Sequence, residues 1–172
     1  MARSYTYFDV FGPYEIPVVK EIAGRYISNG CPNFWKEPEP SEFRKERGCY
    51  LFALRAAKGY KPVYIGMATR TFGQECFQPH KIAGHYNPSL AKAQRGTPVM
   101  FFLVAERKRE RVNKSTLMDL ERTMIRWAGD KNPELSNKNN KTVYTWGIHG
   151  VEGGKVGKPG RAAQQFRKAI GY

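Results

Sequence analysis

Two tyrosines, a lysine, a histidine and a glutamate stand at spacings that suit work on a phosphodiester. Tyr50 and Tyr64 each lie within two residues of a glycine, Gly48 before the first and Gly66 after the second. Glycine close to a strand tyrosine lets a second backbone or a ligand approach the phenol. Lys81 and His85 are four residues apart behind Pro79, so one helical face would present a cation and an imidazole. Thr69, Arg70 and Thr71 add hydroxyls and a guanidinium of the kind that meets phosphate oxygens. Each residue also has a plainer reading, as a half-buried strand tyrosine, a solvated lysine or a surface histidine. Glu121 is the acidic member. Leu117, Leu120, Met124 and Trp127 form an apolar helical stripe, and Glu121 falls four after Leu117 and three before Met124, toward the packed side. An isolated buried charge is costly, so this carboxylate needs a partner. That partner is either a cation, such as Arg122, Arg126 or Lys81, or a metal ion.

The elements that must position these groups can be read from local pattern. Residues 49–57 are apolar apart from Arg55, and residues 63–65 are β-branched and aromatic, which predicts two strands. Residues 58–62, with Gly59 and Pro62, are the expected turn. Residues 97–105 are a continuous apolar run, too short for most helices, and predict a buried central strand. Short helical turns are expected through Phe72, Cys76 and Phe77, from Pro79 onward, and over 88–95 up to Gly96. A longer helix over 113–127 starts at Asn113 or Ser115 and stops at Gly129. Before residue 45 the signals are a strand at 8–11, a turn at Gly12–Pro13, helix-like spacing over 18–27, an aromatic loop at 31–35 and a charged, proline-broken connector at 36–40. The tail reads as a strand at 144–148, a glycine- and lysine-rich loop, and a closing helix at 162–170.

Taken in order, Gly48-Cys49-Tyr50 and Tyr64-Ile65-Gly66 resemble the GIY-YIG nuclease family. The resemblance implies an α+β fold, a small central, mostly antiparallel sheet flanked by helices, with both phenols in one active site. Lys81 stands where the family carries an arginine on the scissile phosphate, and His85 stands where it carries a histidine or tyrosine for proton transfer. Tyr86 competes for the place of His85, and Arg70 for that of Lys81. Glu121 matches the metal-binding glutamate, and Asn137 the asparagine in the loop beyond that helix. Cys49 for isoleucine, Lys81 for arginine and a longer run from Gly66 to Lys81 are departures. The match covers roughly residues 47–141. It divides the chain into an N-terminal extension at 1–45, a nuclease-like unit at 46–141 and a basic C-terminal extension at 142–172. The tail, Trp146-x-Ile148-x-Gly150-Val151 followed by Gly157-Lys158-Pro159, is similar to stand-alone bacterial members. Its Lys155, Lys158 and Arg161 would grip nucleic acid or simply be solvated.

Composition agrees with a polyanionic partner. The chain has 172 residues, 41% of them hydrophobic, which is one domain's worth of sequence. Lysine and arginine total 29 against 15 acidic residues, a net charge of +14. No apolar run reaches bilayer length, so nucleic acid is preferred to a membrane surface. Three widely spaced cysteines give neither a disulfide framework nor a zinc pattern, and the first residues lack a signal core. A cytoplasmic setting is expected. The resemblance then implies a DNA endonuclease using Mg²⁺ or Mn²⁺ on Glu121 and no organic cofactor, with RNA as the other substrate of the same class. Tyr50 would be general base, Lys81 or Arg70 would hold the phosphate, and Asn137 would fix the site. A phenol ordinarily titrates near pH 10, so Tyr50 would need surrounding cations to serve. Two alternatives stand beside it, a nucleic-acid-binding module that has lost cutting and a basic protein that binds an acidic protein.

Overall fold

A computed structural model describes residues 6–57, 59–93, 95–106, 112–133, 135, 146–151 and 158–171. The fold is α+β. Strands β1 (Thr6–Glu15), β4 (Gly48–Ala56), β5 (Gly59–Ala68), β6 (Thr97–Ala105) and β7 (Trp146–Ile148) form one sheet in the order β5-β4-β6-β1-β7. All neighbours are antiparallel except β1 and β7. The apolar run predicted at 97–105 is β6, buried on both faces along its middle. The segment before residue 45 contributes an interior strand, β1, paired to β6 on one side and β7 on the other.

Alternation along β4 sends its side chains to two separate cores. Cys49, Leu51 and Ala53 face α5 (Lys114–Lys131) and α6 (Arg161–Ile170). Tyr50, Phe52 and Leu54 face a second core that contains Phe34, Trp35, Phe72, Phe77 and Tyr86. That side is covered by a 3-10 turn (Phe34–Lys36) and by α1 (Pro38–Ser41), α2 (Phe72–Glu75), α3 (Pro79–Lys81), a π-helical turn (Ile82–Tyr86) and α4 (Asn87–Ala93). The cysteines are free, buried fillers. No helix among the described residues is long and apolar enough to cross a membrane.

Five local expectations change. The turn expected at Gly12–Pro13 is instead an irregularity inside β1, where the register with β6 shifts between Phe11 and Tyr14. Residues 18–27 are not helical but form a hairpin of β2 (Val19–Glu21) and β3 (Gly24–Tyr26). β-branched Val18, Val19 and Ile22 resist a helix, and Gly24 takes a φ of 128° that favours a turn there. The connector at 36–40 coils into short helical turns, with Pro38 at a first helical position where its missing N–H is harmless. The turn expected at 58–62 is shorter, since β5 already begins at Gly59 and runs through Pro62. Proline is tolerated because β5 is the edge strand and a bulge falls beside it. Finally, α5 starts at the Asn113 cap, which accepts the Ser115 N–H at 3.0 Å, and continues past Gly129 to Lys131.

Gly66 is fixed by a close approach. A Cβ there would lie 2.4 Å from the Tyr50 Oη and 2.5 Å from its ring. The phenol therefore lies directly over the β5 backbone. Gly66→Ala should lower stability by about 1–3 kcal/mol through overpacking. A urea midpoint unchanged from wild type would show that the phenol has room to move.

Candidate active site

The two tyrosines share the second face because register pairs Phe52 with Tyr64 and Tyr50 with Gly66. Their ring centroids are 6.2 Å apart. Phe72 meets Tyr50 edge-on at 6.3 Å. Tyr64 is half-buried, and the His85 ring lies 4.6 Å from it. Tyr50 is fully buried, and its Oη has no hydrogen-bond partner of good geometry among the described residues. The Tyr64 and Tyr86 phenols nonetheless lie near enough to affect it and be affected.

Lys81 and His85 do not share a face. Lys81 is 6% exposed, whereas His85 is exposed. The π-helical turn after Lys81 is wider than an α-turn, and it is Tyr86, five residues on, that follows Lys81 inward. The Lys81 Nζ donates to the Glu75 carbonyl at 2.7 Å, lies 3.6 Å from the Glu75 carboxylate and sits 5.4 Å from the Tyr50 ring centroid. Lys81 thus holds Tyr50 and α2 together more than it faces solvent. Tyr86 is buried and donates to the Cys76 carbonyl at 2.8 Å, which removes it as a rival to His85. Glu75 is the partner that sequence reasoning missed, and six residues of separation gave no periodic signal for it.

Glu121 arrives from the opposite face. It leaves α5 and reaches the edge of β5 that no strand among the described residues pairs, where its carboxylate accepts the Met67 backbone N–H. Its charge acts on both Tyr50 and Tyr64, and Lys81 acts on it in turn, so it closes the cluster from the side. Burial raises its pKa above the ordinary carboxylate value, and the Met67 N–H, Lys81 and Arg122 offset this only in part. Cys49 secures the turn from which Glu121 springs, because its Sγ donates to the Leu117 carbonyl at 3.4 Å. Cys49 therefore ties the tyrosine strand to the acidic helix.

Burial, then the neighbouring phenols, Cys76 and Glu121, push Tyr50 well above the ordinary phenol value. Burial and then Glu121 raise Tyr64 as well. The cations that Tyr50 would need as a base do not prevail, and it stays protonated. His85 moves the other way. Burial, then the charges of His80 and Lys81, lower its pKa, so it is a neutral proton acceptor at physiological pH.

Thr69 and Arg70 follow directly from the end of β5, with Arg70 exposed. Lys158 and Arg161 are exposed near the start of α6, where Pro159 packs on Gly150 just beyond β7. That is the far edge of the sheet, about 19 Å from β5 across four strand spacings. The structure brings Tyr50, Tyr64, Lys81, His85 and Glu121 together and leaves Lys158 and Arg161 apart from them. Asn137 and Lys155 lie outside the described residues.

No group of three or more metal-ligating side chains occurs among the described residues. One half-exposed carboxylate still suits Mg²⁺, a hard cation that keeps several waters and takes one or two carboxylates plus substrate phosphate. The chain matches no protein family, no curated protein and no solved structure in the comparisons made.

Proposed function

We propose that this protein is a metal-dependent endonuclease of the GIY-YIG type acting on DNA, with Glu121 as the ligand of a divalent ion. The observation that supports it best is the gathering of two phenols, an imidazole and the half-exposed Glu121 carboxylate beside β5. When bound, the ion would offset charge developing on the phosphate and leaving oxygen. The remaining work falls to the chain. His85, exposed and neutral, takes a proton from the attacking water. Tyr64, protonated and half-exposed beside it, donates to a phosphate oxygen. Arg70 supplies the exposed guanidinium, since the Lys81 ammonium is engaged by Glu75. Tyr50 is a positioning residue, because its Oη is out of reach of substrate. The excess of positive charge draws the polyanion in.

Incubating the protein with supercoiled plasmid, linear duplex and single-stranded DNA, with Mg²⁺ or Mn²⁺, tests this directly. Nicking that disappears in chelator is the expected result. Intact DNA in every form would sink the reading.

The buried, paired Lys81 favours one second reading, a binding module without cleavage. It predicts retention of DNA that weakens linearly with the logarithm of salt, and no nicking.

A further inference from the structure

We infer that Tyr64 and Tyr86 compete for the single proton of the Tyr50 hydroxyl, so that Tyr50, with Tyr86 behind it, is a positioning residue that braces the Tyr64 oxygen while Tyr64 serves the phosphate. The inference deepens the preceding proposal and rests on it for the role of Tyr64. Tyr50 is fully buried, and its hydroxyl makes a hydrogen bond of good geometry to no group among the described residues. A buried hydroxyl without a partner costs the fold free energy, so one kept at the centre of a site points to a use. The Tyr64 and Tyr86 phenols both stand within its reach, and by donating it holds the pKa of each below what burial alone would set. The Lys81 ammonium over its ring is itself a donor and cannot take the proton.

The part played by Tyr86 is fixed. A phenol has one proton, and that of Tyr86 goes to the Cys76 carbonyl at 2.8 Å. Toward Tyr50, Tyr86 therefore only accepts. Its ring is stacked on Phe52 at 4.1 Å, which holds that acceptor in place. Tyr64 differs. It is half-buried beside the exposed His85, so its proton can point outward to a phosphate while its oxygen accepts from Tyr50. When the phosphate oxygen gains charge and draws on that proton, the Tyr64 oxygen becomes the more negative of the two acceptors. Rotation about one C–O bond then brings the Tyr50 hydroxyl onto it. The bond is strongest once charge has developed, and interactions of that kind speed the chemical step.

The test follows the Tyr64 phenol by nuclear magnetic resonance of the full chain labelled with ¹³C at the tyrosine ζ carbon, its signal assigned by its loss in Tyr64→Phe. The protein is titrated with alkali, without DNA. Tyr50→Phe removes the donor, and Tyr64 should titrate at higher pH than in wild type. Tyr86→Phe removes the competing acceptor, and Tyr64 should titrate at lower pH. Glu121 of α5, Glu75 and Cys76 at the end of α2, and His85 beside the ring also face Tyr64, and both variants leave them in place. Any other pattern overturns the inference, including shifts in one direction, which a loosened core would give. Cleavage in Mg²⁺ is the second arm. Tyr50→Phe should lower kcat about three- to tenfold with KM unchanged, and should cost nothing further when added to Tyr64→Phe. An equal cost in both backgrounds also overturns the inference. Should Tyr86→Phe fail to fold for want of the Cys76 bond, the Tyr50→Phe titration and this cycle decide. Opposed shifts in a protein that never cuts sink the nuclease proposal alone. Cutting without those shifts sinks the inference alone.

Discussion

Glu121→Gln should reduce Mg²⁺-dependent cleavage by about 10²–10⁴-fold while making the fold more stable at neutral pH. The two effects share one cause. The carboxylate is half-buried beside the Met67 N–H, and in the proposed function this is the position at which it would meet the ion. Its pKa is raised in the folded chain, chiefly by burial. The folded state therefore binds the proton more readily than the unfolded one. The stability this group contributes is full below the ordinary carboxylate value of 4.5 and is lost as pH rises through the raised folded value. Glutamine carries no charge and escapes that loss while still accepting the Met67 N–H. The variant should melt a few degrees higher at pH 7 and at nearly the same temperature as wild type below pH 4. The same substitution removes an anion that raises Tyr64, so its phenol should titrate lower in an ultraviolet pH scan. A variant that cuts normally, or that is less stable at pH 7 than at pH 4 relative to wild type, would contradict the assignment.

His85→Ala is expected to cost about 10²–10⁴-fold in kcat, and Tyr50→Phe much less. The pH profile separates the two residues more sharply than the rates do. With His85 as base, kcat/KM should rise along a single-proton limb whose midpoint lies below the ordinary imidazole value of 6.5, then level off. That limb should vanish in His85→Ala. With Tyr50 as base, activity would keep climbing into the range above pH 10, because burial holds that phenol protonated. A profile of that second kind, together with an inactive Tyr50→Phe, would return the base role to Tyr50.

Which parts of this could be read in advance depended on the range of the interactions involved. β6 and α5 were legible because nine apolar residues in a row and a capped 3.6-residue stripe are local patterns. The tyrosine pair was legible because its two strands are joined by a short turn, so sequence spacing fixes register. The hairpin at β2 and β3 was not, because three apolar residues at helical intervals mimic a stripe when neither Ile16 nor Ile27, the buried ones, belongs to it. Lys81 was half legible. Its place on the short helix follows from Pro79, but its inward turn is set by the Glu75 carbonyl and the wide turn behind it. The bases of the Glu121 position, an edge N–H at Met67 and a thiol at Cys49, are tertiary and leave no trace in spacing.

β1 and β7 lie side by side although about 140 residues separate Thr6 from Trp146 in the chain. During synthesis from the N-terminus, β5, β4 and β6 can pair as soon as residue 105 has emerged. β1 must then wait beside them with one edge open until β7 is made, and the core around Phe101, already met by α5, is not complete until Phe166 of α6 reaches it. A ribosome-bound chain would hold its tyrosine strands already joined while the acidic helix still lacked the neighbour that packs it down, so assembly of the cleft would be one of the last events of biogenesis.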